Sequence, residues 1–258
     1  MTRLPVAFSL VFLVCSTVFA QSDSQALAYA AQSIANLTGG TPISDLTFAG
    51  TGTWIAGSDT ENGMVTLKAL GTSESRMDLG LSGGTRTEIR DASTGSPLGQ
   101  WITQDGSSGL FRYQNCFTDA VWFFPALGSL SAGPTVVLSY IGPENRNGEV
   151  VQHIQSYLSQ TVQLPGPTPT LAQLSTMDFY LDAATLLPSA VVFNAHPDND
   201  PGTNIPVEID FSNYQAISGI AVPLHIQKYL QGSLVTDLVI SNAVFNTGLP
   251  LSTFAISQ

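Results

Sequence analysis

Gly80-Leu-Ser-Gly-Gly84 fits the G-x-S-x-G spacing that presents a catalytic serine in many hydrolases. That chemistry needs a sharp strand-to-helix turn, which lifts the hydroxyl clear of a sheet and toward a base. Here Ser82 leads through two glycines into another strand-like run at 85–91, so the stretch reads as a turn between strands. The three histidines, His153, His196 and His225, lie far apart, and none has a ligand partner in a recognisable metal motif. His196-Pro-Asp-Asn-Asp200 places two carboxylates, Asp198 and Asp200, where a hard cation could sit. It lacks the glycine and distal glutamate of a calcium loop, which leaves a solvated acidic turn. No glycine-rich loop opens a helix, so a nucleotide phosphate has no cradle. Catalytic residues, metals and cofactors are accordingly not expected.

Residues 1–20 carry Arg3, a nearly unbroken apolar run, and Val18-Phe19-Ala20 before the polar Gln-Ser-Asp-Ser. This pattern reads as a cleaved secretory signal, and the run falls short of the ~20 residues that span a bilayer. Cys15 lies inside that run behind Val14, where lipoprotein processing would want a small residue. Removing the leader leaves residues 21–258 as one domain, periplasmic or secreted, with no stable membrane insertion. Cys116 is then the sole cysteine, so no internal disulfide forms and the thiol reads as a small buried hydrophobe. The formal charge of −11 repels nucleic acid and anionic headgroups, which excludes nucleic-acid partners.

The elements that would position any site are mostly strands. Leu27, Ala30, Ala31, Ile34 and Leu37 recur at helical spacing, with Asp23 or Ser24 to start a helix and Gly39-Gly40 to stop it. Beyond it, apolar and polar residues alternate. Met177, Phe179 and Leu181 oppose Asp178, Tyr180 and Asp182, while Val207, Ile209 and Phe211 oppose Glu208 and Asp210. Alternation with period two predicts an antiparallel meander with one apolar and one wet face. Asn62-Gly63, Gly83-Gly84, Ser218-Gly219 and Gln231-Gly232 read as hairpin turns, and 143–148 as a longer one. Gly50 and Gly52 fall on the apolar side of their strand, leaving room for curvature or a close approach. Residues 118–130 break the pattern: they are apolar nearly throughout and interrupted by Pro125, which predicts a kinked short helix. Pro165-Gly166-Pro167-Thr168-Pro169 reads as a stiff connector, and 170–174 as a turn of helix.

Three stretches carry a family resemblance: Tyr180-Leu-Asp-Ala-Ala-Thr-Leu-Leu-Pro188, Gly219-Ile-Ala-Val-Pro-Leu-His-Ile226 and Phe245-Asn-Thr-Gly-Leu-Pro-Leu-Ser-Thr-Phe254. Together with the order of elements they resemble the periplasmic outer-membrane lipoprotein carrier (LolA-like) superfamily. The resemblance implies a mainly β (α+β) fold, a curved antiparallel unclosed half-barrel with an N-terminal helix and a short apolar helical lid. It further implies non-catalytic carriage of a lipid, or the acyl chain of a lipoprotein, in an apolar trough. The expected trough residues are Phe48, Trp54, Leu67, Met77, Leu79, Ile89, Trp101, Phe179, Leu181, Ile209, Phe211, Leu224, Ile226 and Leu238; the expected lid residues are Trp122, Phe123, Phe124, Leu127 and Leu130. Carriers of this fold hold the lid with an arginine from an early strand. Arg76 stands near the matching place, although its alternation sets it with Asp78 on the polar face. The alternative is a sensor or scaffold module that uses the same fold to bind an envelope protein.

Overall fold

The protein, described as a computed structural model over residues 21–93, 96–131, 133–159 and 170–256, is organised around one antiparallel sheet of 13 strands. The expected leader at 1–20 and connector at 165–169 lie outside the described residues. Helix α1 (Ser24–Thr38) starts where the Asp23 carboxylate accepts the Gln25 and Ala26 N–H groups, and it stops at Gly39 in the left-handed region. Six strands then step outward by hairpins: β1 (Asp45–Ala56), β2 (Asp59–Leu70), β3 (Glu74–Leu81), β4 (Gly84–Asp91), β5 (Leu98–Ile102) and β6 (Ser108–Leu110).

The chain next crosses the open side of the sheet and restarts at the far edge. From there β7 (Val136–Arg146), β8 (Glu149–Leu158), helix α2 (Leu171–Ser175), β9 (Met177–Asp182), β10 (Pro188–Ala195), β11 (Ile205–Ile217), β12 (Ile220–Leu230) and β13 (Ser233–Phe245) work back inward. β13 pairs with β1, giving the order β6-β5-β4-β3-β2-β1-β13-β12-β11-β10-β9-β8-β7. The outermost strands β6 and β7 do not pair with each other, so the sheet curves without closing.

Turn chemistry sets most of the register. Ser218, Gly219, Gln231 and Gly232 all have positive φ, as two-residue primed hairpin turns require. Asn62-Gly63, expected as a turn, instead lies within β2, and the reversal falls at Gly57-Ser58. Gly63 serves another purpose: a Cβ there would overlap the Gly80 carbonyl oxygen of β3. Gly50 sits at a register shift between β1 and β13, where a Cβ would overlap the Val239 carbonyl oxygen. The expected long turn at 143–148 shortens to Asn147-Gly148, because β7 runs on through Pro143. Proline is tolerated there because β7 is an edge strand.

The crossing segment departs from the expected kinked helix. It forms 3-10 turns at Tyr113–Asn115, Pro125–Leu127 and Ser129–Ser131. Gly128 is extended between the last two. Asp119 occupies the space a side chain at 128 would need, and its carboxylate accepts the Ser129 N–H at 2.8 Å and the Ser129 hydroxyl. Side-chain capping thus competes with helix continuation, and the segment folds as successive tight turns.

A charged pocket at one end of the concave face

Beneath the middle of the crossing segment the trough is filled. Phe48, Leu67, Phe179, Leu181, Ile209, Ile226 and Leu238 are each fully buried, and Phe211 is nearly so. They join Phe123, Phe124, Leu127 and Leu130 in one apolar core. Phe48 meets Phe123 at 6.1 Å and Phe124 at 5.7 Å between ring centroids, both edge to face. Leu224 lies partly buried at the margin of this core.

A cavity of about 510 Å³ remains at one end, between β1 and β3–β5 on one side and the tips of β10–β13 on the other. Of the expected trough residues, Trp54, Met77, Leu79 and Trp101 line it; of the expected lid, Trp122 and Phe123 do so. Ile89 is a correction. It stands opposite Arg76 in the β3–β4 ladder, on the convex face, where the C-terminal turn at Leu251–Phe254 packs against β3 and β4. Its neighbours of the other parity, Arg86, Glu88 and Arg90, stand on the concave side with Leu79, Met77 and Ser75. The Ser82-Gly83 turn pairs Leu81 with Gly84, and this register inverts the polarity that β4 shows by itself.

The wall of the cavity is therefore apolar and charged together. The Arg86 guanidinium carbon lies 4.5 Å from the centroid of the Trp54 ring, and its Nη1 donates to Gln104 Oε1 at 3.4 Å. Lys228, reaching across from β12, sits 5.0 Å from the Trp122 ring centroid and 3.8 Å from a Glu88 carboxylate oxygen. Arg90 donates to the Thr118 carbonyl at 3.0 Å, and Ser75 donates to the Ala120 carbonyl at 2.6 Å. These two bonds tie the crossing segment to the concave floor. It is Arg90, which the sequence reading did not single out, that bonds the backbone of the crossing segment. Arg76 pairs with Asp78 on the convex face. Burial pushes the Arg90 guanidinium below its ordinary pKa, against the pull of Cys116, Glu88 and Asp119. Burial likewise raises Asp119, against the Ser129 hydrogen bonds and Arg90. It also raises the buried Cys116 thiol, against Arg90, which leaves that thiol a poor nucleophile.

The histidines lie elsewhere. His153, on the convex face, is held between Glu144 and Asp178, with Asp178 at 2.8 Å. Burial works against its protonation, but the hydrogen bonds to Asp178 and Glu144 outweigh it and raise its pKa above the ordinary value. Carboxylate acceptors at both nitrogens favour the imidazolium, the form without the lone pair a base or metal ligand needs. His225 pairs with Asp237 at 2.8 Å, and His196 is buried with Nδ1 3.0 Å from the Thr203 carbonyl. Ser82 donates to Glu61 at 2.7 Å on an exposed turn. Among the described residues no three His, Cys, Asp or Glu side chains cluster as a metal site, and no helix is long and apolar enough to cross a membrane.

Comparison with solved structures places this architecture. The chain is similar to a putative outer membrane lipoprotein-sorting protein domain from Vibrio parahaemolyticus, at 15% identity over 89% of this chain and 96% of that one, with a TM-score of 0.56. It is also similar to a LolA superfamily protein from Nitrosomonas europaea, at 10% identity over 90% and 97%, again with a TM-score of 0.56. No family model matches the sequence, and no curated protein matches it. At such identities the likeness is one of fold alone: the chain shares the unclosed antiparallel half-barrel of these structures.

Proposed function

We propose that this LolA-like half-barrel is a non-catalytic periplasmic binding protein or carrier for a lipid or acylated ligand, which it takes into the end cavity of its concave face. The observation that carries this reading is the cavity itself. At about 510 Å³ it lies within the range of roughly 300–1,000 Å³ typical of small-molecule pockets. Three tryptophans, Met77 and Leu79 line it. Transfer of an acyl chain is favourable by about 0.8 kcal/mol per buried methylene, so about ten methylenes supply about 8 kcal/mol before association costs. Taken gross, that figure corresponds to about micromolar affinity, and association costs of at least about 4 kcal/mol weaken it, which keeps carriage reversible. The volume suits one chain, and the middle of the concave face is filled by its own side chains. The secretory leader read at 1–20 supports an envelope or extracellular setting.

The test is extraction of natively purified protein with organic solvent, followed by mass spectrometry and by titration with a fluorescent fatty acid. A stoichiometric lipid, or saturable uptake competed by unlabelled acyl chains, is the expected result. A clean extract with no uptake overturns the carrier reading and leaves the protein-binding scaffold as its successor.

A further inference from the structure

The cavity holds more positive charge than its surroundings explain. The chain has a formal charge of −11 and 8 lysines and arginines in all, yet three of them, Arg86, Arg90 and Lys228, line this one pocket. Their carboxylate company is thin. Lys228 reaches Glu88 at 3.8 Å, a loose contact, while Asp119 spends its oxygens on Ser129. Neither Arg86 nor Arg90 makes a direct ion-pair contact among the described residues, although Glu88 and Asp119 act on Arg90 from a distance. Each uses few of its five N–H donors on neutral oxygens: Arg86 on Gln104, Arg90 on the Thr118 carbonyl. Charges drawn partly out of water without an ionic partner are costly, and an incoming anion relieves that cost. The alternative, cations kept only to brace the fold, leaves Arg86 without a purpose, since its contacts are a tryptophan face and a glutamine.

We propose that the cavity selects a single-chain amphiphile with an anionic head, the chain lying along Trp54, Leu79 and Trp101 and the head meeting Arg86, Arg90 and Lys228. This proposal rests on the acyl-binding reading above and specifies the head that the chain must carry. Planar guanidinium forks match a carboxylate or phosphate with two parallel hydrogen bonds, which a hydroxyl head cannot reproduce.

The experiment titrates the mature protein with hexadecanoate, hexadecyl phosphate and hexadecanol below their aggregation concentrations, following tryptophan fluorescence. The two anions are expected to bind at least tenfold more tightly than the alcohol, the order between them identifying a carboxylate or a phosphate head. In Arg86→Gln the anion-to-alcohol ratio falls roughly tenfold, the loss expected for a charge-assisted bond. In Arg86→Lys, which keeps the charge, part of the ratio returns, and melting curves of both variants check the fold. Equal binding of acid and alcohol by the unaltered protein overturns the anionic-head proposal and leaves the acyl pocket standing. Binding of none of the three overturns the acyl pocket itself.

Discussion

Replacing Phe124 by alanine separates a covering segment that is part of the core from one that merely rests on the sheet. Phe124 is fully buried, 5.7 Å from the Phe48 ring centroid and 6.4 Å from that of Phe245. Truncating a buried phenylalanine removes its transfer free energy and leaves a void, at about 3–5 kcal/mol. Each aromatic pair adds about 0.5–1.5 kcal/mol beyond area. For a chain of this size about 1 kcal/mol moves Tm by roughly 2–4 °C, so Phe124→Ala should lower Tm by on the order of 10 °C. Trp101→Ala is the comparison: Trp101 is partly exposed on the cavity wall, and its loss should cost about a third as much. Thermal melting by near-ultraviolet circular dichroism, with urea unfolding as the second probe, reads both. A Phe124→Ala shift below about 2 °C would refute the filled centre and restore a trough open along its length.

Two further outcomes follow from the electrostatics. Asp45 is buried and accepts hydrogen bonds from Thr247 N, Thr247 Oγ1 and Gly248 N at 2.8, 2.9 and 3.0 Å; these outweigh burial and keep its pKa below the ordinary value. Asp45→Ala should cost about 2–4 kcal/mol and accelerate proteolysis of the segment after β13, while a melting curve like that of the unaltered protein would show the clasp to be dispensable. On the convex face, burial and neighbouring Glu208 push Asp210 up to about 6, and His153 is also raised. Both groups bind protons more tightly in the folded chain than in the unfolded one. Their contribution therefore falls as pH rises, through about pH 4–6 for Asp210 and above about 6.5 for His153. Asp210→Asn should stabilise the protein at pH 7 by about 1 kcal/mol after solvent screening, and His153→Gln should flatten the loss of Tm between pH 6 and 8; unchanged slopes in both variants would remove these groups from the linkage.

Alternation carried most of the architecture. The period-two pattern of Met177 to Leu181 and Val207 to Phe211, the primed turns at Ser218-Gly219 and Gln231-Gly232, and the Asp23 and Gly39 ends of α1 are local signals, and the structure keeps each of them. Asn62-Gly63 misled because its glycine answers to a neighbouring strand and not to a turn. The 118–130 run misled because its helix is broken by a carboxylate ten residues from its partner, Asp119 capping Ser129. The charged lining was legible in principle: a two-residue turn at Ser82-Gly83 sets Arg86 beside Leu79 and Glu88 beside Met77. Ile89 outweighed that signal, since an apolar residue normally marks the buried side of a strand.

What the linear chain determined by itself was an antiparallel meander with an N-terminal helix and one apolar interruption at 118–130, because strand alternation, turn chemistry and capping act over a few residues. What only the tertiary structure decided was where the concave face is full and where it is empty. That depends on how Phe123 and Phe124, from between the two edge strands, meet Phe48 from the middle of the sheet, and on the hairpin register that turns Arg86 and Arg90 inward. Packing and register are relations between segments far apart in the chain, and neither is written in the composition of either segment.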